Sequence, residues 1–87
     1  MRIDCDSDEE KFKITKKAVE FFTTNFECIT TDGVRIKFKD GWGLVRSSNT
    51  QPVIVCRFEA KTKEQLQEYK QLVLNQLSQF GNINYVQ

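Results

Sequence analysis

Arg46-Ser47-Ser48-Asn49-Thr50-Gln51-Pro52 gathers a cation, hydroxyls and a carboxamide into one short stretch between two apolar runs. That set suits a phosphate. A guanidinium offers a planar fork to two phosphate oxygens, hydroxyls and turn amides can donate to the others, and charge-assisted bonds are roughly twice as strong as neutral ones. Arg46, Ser48, Asn49 and Thr50 are the candidate ligands, and Ser47, Gln51 and Pro52 shape the turn, with Pro52 stiffening its exit. Ser, Asn and Thr also favour plain turns through local side-chain to backbone bonds, so composition alone leaves an ordinary solvated loop open.

Other chemistry is scarce. The chain has no histidine, which removes the commonest general acid/base and the usual nucleophile triads. Its three cysteines, Cys5, Cys28 and Cys56, are widely spaced with no Cys-x-x-Cys pair, and read as reduced, mostly core thiols of an intracellular, cytoplasmic protein. Asp4-Cys5-Asp6-Ser7-Asp8 imitates the opening of a calcium loop, but Glu9 stands where such a loop needs glycine and Thr15 where it needs glutamate. The acidic run is read as helix-start charge, favoured by the macrodipole. No catalytic residue and no metal ligand is expected in this segment.

Thirteen Lys and Arg against twelve Asp and Glu leave a formal charge of +1. A nucleic-acid binder usually carries a basic excess, so Arg35, Lys37 and Lys39 are read as a solvated sheet face, and Trp42 and the helical phenylalanines as core. No nucleic acid and no membrane is expected as a partner, because no apolar run approaches the roughly 18 residues of a membrane span.

The elements that must position the loop follow from periodicity. Ile3 and Cys5 alternate with charged neighbours as a short strand, and Ser7 with Glu10 forms a capping box that opens a helix running to about Phe26. Its apolar residues, from Phe12 and Ile14 to Phe22 and Phe26, cover a wide face, leaving Lys11, Lys13, Lys16, Lys17 and Glu20 to solvent. Val34 to Lys39 alternates strictly, Asp40-Gly41 reads as a hairpin turn with both central residues at positive φ, and Trp42 to Arg46 returns. Val53 to Ala60 makes a fourth strand. Thr62 and Gln65 cap a second helix that Gly81 ends. The expected fold is α+β: a β-α-β-β-β-α order, with a four-stranded, largely antiparallel sheet carrying both helices on one face. Residues 1–81 form the domain, and residues 82–87 a loosely attached tail.

Asp32-Gly33-Val34-Arg35-Ile36, then Gly41-Trp42-Gly43-Leu44-Val45-Arg46-Ser47-Ser48-Asn49-Thr50-Gln51-Pro52, then Arg57-Phe58-Glu59-Ala60, together resemble the C-terminal domain of the α-D-phosphohexomutases. The likeness is greatest to the bacterial phosphomannomutase/phosphoglucomutase branch. The family signature Arg-x-Ser-x-Thr-x-Pro is matched by Arg46, Ser48, Thr50 and Pro52, with Asn49 as in the phosphomannomutase branch; Gln51 departs from the glutamate common elsewhere.

The resemblance implies a fold similar to the TATA-box-binding-protein-like class and a role as the fourth domain of a longer enzyme. In that family the loop matching Arg46, Ser48, Asn49 and Thr50 grips the phosphate of mannose or glucose 1- or 6-phosphate, and the domain rotates to close the cleft. The reaction interconverts hexose 1- and 6-phosphates through a phosphoserine, a Mg²⁺ and a bisphosphorylated intermediate. The expected partners are thus a phosphosugar and three further domains, with Mg²⁺ held elsewhere and this segment inactive alone. A free-standing α+β interaction module is the competing reading.

Overall fold

The computed structural model describes residues 1–85. Its elements are β1 (Arg2–Cys5), α1 (Asp8–Asn25), β2 (Cys28–Ile29), β3 (Val34–Phe38), β4 (Gly41–Ser47), β5 (Val53–Ala60), α2 (Lys63–Phe80) and β6 (Ile83–Tyr85). The α+β class and the two helices stand as expected, but the sheet has six strands in the order β2-β3-β4-β5-β1-β6 rather than four. Every pairing in it is antiparallel. The two additions are the short edge strands. Cys28–Ile29 pairs with β3, and Ile83–Tyr85, inside the segment expected to be a loose tail, pairs with β1. Two or three residues are too few to show an alternating pattern, so only the pairing reveals them. Val86 and Gln87, the end of that expected tail, lie outside the described residues.

The register assigns the faces. Val34, Ile36 and Phe38 of β3 align with Gly41, Gly43 and Val45 of β4, and Ile54 and Cys56 of β5 follow on the same side. These residues meet Ile14, Ala18 and Phe22 of α1 and Val73, Leu74 and Leu77 of α2 in one apolar core. Both helices therefore cover one sheet face. The opposite face carries exposed Arg35, Lys37, Arg57 and Glu59. Trp42, expected in the core, lies on this solvent side because it pairs with Lys37 and Glu59; its indole N–H donates to Glu59 Oε2 at 3.1 Å and its ring lies 4.3 Å from the Arg35 guanidinium.

Helix starts hold one half of each predicted box. Ser7 Oγ accepts from Glu10 N–H and Thr62 Oγ1 from Gln65 N–H, both at 3.1 Å. The reciprocal side chains are used elsewhere: Glu10 pairs with Lys13 at 2.8 Å, and Gln65 Nε2 donates to Asp40 Oδ2 at 2.7 Å. The buried stripe of α1 is Lys11, Ile14, Ala18 and Phe22, narrower than the sequence suggested. Lys11 takes the inward position at the helix start, and Phe12, about 100° round the helix, is left 57% exposed.

The β3–β4 turn also differs. Phe38 pairs with Gly41, so Lys39 and Asp40 are the two turn residues, and neither has positive φ. What holds it is α2 and the chain leading into it: Asp40 N–H donates to Tyr69 Oη at 3.1 Å, and Lys61 N–H donates to Asp40 O at 3.1 Å. Gly41 is required for close approach, since a Cβ there would lie 2.0 Å from Glu59 O.

Candidate functional site

Strand β4 delivers the candidate loop. Strand alternation puts Arg46 on the solvent face, opposite Val55, and Ser47 on the helix face, opposite Ile54. Arg46 is half-buried, and its Nη1 lies 3.5 Å from Asp32 Oδ2. Asp32 sits in the β2–β3 connection just before Gly33, whose φ of 69° is the one value in the left-handed region among the described residues. A Cβ at Gly33 would lie 2.1 Å from Val45 O and 2.8 Å from Arg46 Cα, so glycine lets this connection lie directly against the backbone that carries Arg46.

Beyond Ser47 the chain closes on itself. Ser48 N–H donates to Val53 O at 2.9 Å, Val53 N–H to Gln51 O at 2.7 Å, and Cys5 N–H of β1 to Pro52 O at 2.8 Å. Asn49, Thr50, Gln51 and Pro52 are exposed, and Thr50 N–H reaches Ser48 Oγ at 3.4 Å. Ser47, Gln51 and Pro52 are engaged through one hydroxyl and two carbonyls. Ser47 Oγ donates to Thr15 Oγ1 at 2.7 Å, and Thr15 Oγ1 donates to Lys11 O at 2.9 Å.

Lys11 is the residue that sequence reasoning missed, having been assigned to solvent. It is 1% exposed, and its Nζ lies 2.7 Å from Ser48 O, 3.0 Å from Gln51 O and 3.2 Å from Asp8 Oδ1. An ammonium has three donors, and here each has an acceptor, which is what makes burying the charge tolerable. A lysine on the same helical stripe as Ile14, Ala18 and Phe22 was the available signal.

The acidic run does not assemble. Asp4 lies 3.6 Å from Arg2, Asp6 Oδ2 accepts from Asn82 at 3.4 Å, and Asp8 pairs with Lys11. No group of three metal-ligating side chains occurs among the described residues, so they do not fit a Mg²⁺ site. The thiols are no better suited to chemistry. Burial pushes Cys56 up to about 12, and burial followed by the neighbouring carboxylates of Glu10, Asp6 and Asp4 raises Cys5. Cys28 is raised by burial and by Glu27.

A depression of about 820 Å³ lies elsewhere, on the solvent face of β3 and β4 beside Arg35, Lys37, Trp42 and Glu59. It does not include the loop residues 46–52. Phosphate sites on small domains are built from convergent donors, not volume, so the loop remains the candidate.

Comparison with known proteins settles the family. The family model described as "Phosphoglucomutase/phosphomannomutase, C-terminal domain" matches residues 2–76. The chain belongs to this family. A phosphomannomutase/phosphoglucomutase of Pseudomonas aeruginosa is 58% identical over 48 residues, 55% of this chain and 10% of that protein. One of Pseudomonas putida is 43% identical over 74 residues, 82% of this chain and 16% of that protein. A solved phosphoglucomutase/phosphomannomutase family protein of Burkholderia thailandensis superposes with a TM-score of 0.68 at 30% identity, covering 98% of this chain and 19% of its own. The chain thus spans a tenth to a fifth of the length of these three proteins. No helix among the described residues is long and apolar enough to cross a membrane.

Proposed function

We propose that this chain is the phosphate-clamping domain of a phosphomannomutase/phosphoglucomutase, an isomerase that interconverts hexose 1- and 6-phosphates in the cytoplasm. Arg46 is the anchor, and Ser48, Asn49 and Thr50 complete the grip. The observation that supports it is the form of the loop. Three of its carbonyls, on Ser48, Gln51 and Pro52, are engaged by Lys11 and by Cys5 N–H, which leaves Asn49 and Thr50 exposed beyond the half-buried Arg46.

Phosphoryl transfer depends mainly on positioning and charge stabilisation, so a clamp on the non-reacting phosphate contributes through orientation. A substrate presented in two opposite orientations needs a grip that reads phosphate and ignores the stereochemistry of the sugar. Arg46 and the loop hydroxyls have that character. The phosphoserine, the Mg²⁺ and the acid/base groups of such a reaction belong to the three other domains, and this segment alone is inactive. Phe12, exposed at the start of α1 with its ring 4.4 Å from Lys11 Nζ, is an apolar surface beside the loop for those domains to cover.

Amide NMR of the chain titrated with glucose 6-phosphate and mannose 1-phosphate, against the plain sugars, tests the reading. Shifts confined to residues 46–51, seen with both phosphosugars and absent with glucose or mannose, are expected. Arg46→Ala abolishes them while changing stability by less than about 1 kcal/mol, because its ion pair with Asp32 is largely exposed. Absence of any localised shift at millimolar phosphosugar favours the interaction module instead.

A further inference from the structure

We propose that Lys11 is a positioning residue for the anion loop: by holding the Ser48 carbonyl inward, its ammonium turns the Asn49 peptide N–H outward as a donor to bound phosphate. The inference rests on the phosphate reading of the loop and adds to it a residue 37 positions away in sequence.

The geometry follows from the peptide itself. All peptide bonds among the described residues are trans, and in a planar trans unit the carbonyl and the next N–H point in opposite directions. Ser48 O lies 2.7 Å from Lys11 Nζ, beneath the loop, so Asn49 N–H points away from α1. The second inward carbonyl, Gln51 O at 3.0 Å, precedes Pro52, which has no N–H, so that carbonyl is turned inward without redirecting any donor. Three other loop amides are already engaged: Ser48 N–H with Val53 O, Val53 N–H with Gln51 O, and Thr50 N–H with Ser48 Oγ. Asn49 N–H has no partner among the described residues. Asn49 N–H is therefore a free, directed backbone donor next to the Ser48 and Thr50 hydroxyls, in the manner of an anion-binding nest.

Lys11 is placed for this by α1 alone. Ser7 caps the helix and Lys11 N–H donates to Ser7 O at 3.0 Å, which fixes the first turn under the loop. Thr15, one turn on, receives the hydrogen bond from Ser47 at the loop's root. Asp8 takes the third ammonium donor and is itself largely exposed, so it secures Lys11 from the solvent side.

The test is ¹⁵N–¹H NMR of the chain titrated with inorganic phosphate, with Lys11→Met as the variant and the Arg46 Nε–H as an internal control. In the wild type, phosphate moves the Asn49 amide proton downfield together with the Arg46 Nε–H. In Lys11→Met the apparent Kd rises roughly tenfold, as expected for losing one charge-assisted hydrogen bond. The Asn49 response disappears, the Arg46 response persists at higher phosphate, and the amide shifts of β3 and α2 stay at wild-type values. A purely structural role would weaken both responses alike. A wild-type titration in which Arg46 responds and Asn49 does not overturns the proposal without any variant, as does Lys11→Met binding with wild-type affinity. Silence of Arg46 and Asn49 together in the wild type overturns the phosphate reading beneath it.

Discussion

Replacing Gly33 by alanine should do more damage than its exposed, polar neighbourhood suggests. Its φ of 69° lies where a Cβ meets the following carbonyl, a cost of about 1–2 kcal/mol for an L-residue. The new Cβ would also lie 2.1 Å from Val45 O, against backbone that cannot rotate away as a flexible side chain would. The connection must lift by most of an ångström, which strains the Val34–Val45 end of the β3–β4 ladder. Losing one or two of its hydrogen bonds adds about 1 kcal/mol each. The sum is about 3 kcal/mol, or a fall in Tm of about 12–24 °C for a domain of this size. Gly43→Ala is the control: the nearest atoms its Cβ would meet are those of the Phe58 and Phe38 rings at 3.1–3.3 Å, side chains that can yield, and it should cost about 1 kcal/mol, the low end for added core volume. Urea unfolding of both variants, read by Trp42 fluorescence, measures the difference. A Gly33→Ala loss below about 1 kcal/mol, or one no larger than that of Gly43→Ala, refutes the argument that this contact and this φ demand glycine.

Tyr69→Phe removes the hydroxyl that accepts from Asp40 N–H and should destabilise the chain by about 1–2 kcal/mol, with local amide exchange at Lys39 and Asp40 rising most. The Phe38–Tyr69 ring stack, with centroids 4.3 Å apart, persists in that variant, so a larger loss would point to a packing role instead. Stability should also fall at alkaline pH. The Cys56 thiol is raised from 9.0 to about 12 in the folded chain, so its contribution is full below pH 9 and is lost as pH climbs through 12. Denaturant unfolding at pH 8 and pH 10.5 should differ by about 2 kcal/mol more in the wild type than in Cys56→Ala.

Legibility in the sequence tracked the range of the interaction concerned. Val34 to Phe38 was visible because alternation is a local signal that it obeys throughout, and Val53 to Ala60 because its second half, from Cys56 on, alternates behind an apolar start. Both helices were visible because Ser7 and Thr62 sit at their caps. Cys28–Ile29 and Ile83–Tyr85 carry too few residues to alternate and exist only as partners of β3 and β1. The Asp40-Gly41 pair was recognised as a turn but shifted by one residue. Its support comes from Tyr69, 29 positions away, and not from the positive φ that the dipeptide usually signals. Trp42 was assigned to the core on residue type, whereas register, which a single sequence does not fix, turned it outward beside Arg35.

The same distinction explains why the candidate site was half visible. Arg46 to Pro52 is contiguous, so its residue types could be weighed as a set, but what gives the loop its shape is contributed by α1 and β1. A cation at the start of a helix reads as solvated by its type, only its place on the stripe of Ile14, Ala18 and Phe22 argues otherwise, and the net charge of +1 gives no hint that one is buried. Yet a chain with no basic excess can still favour an anion if its few charges and dipoles are directed. Lys11 behind the loop and Arg46 at its edge put two cations within reach of one turn, and three inward carbonyls remove the loop's own negative ends from its outer surface. Preorganised dipoles of this kind need no rearrangement when the ligand arrives, so the attraction is not spent on ordering the loop. The salt dependence of binding should then be shallow. Overall charge would make phosphate affinity fall steeply between 50 and 200 mM NaCl, whereas directed donors around a single guanidinium predict less than about a threefold change.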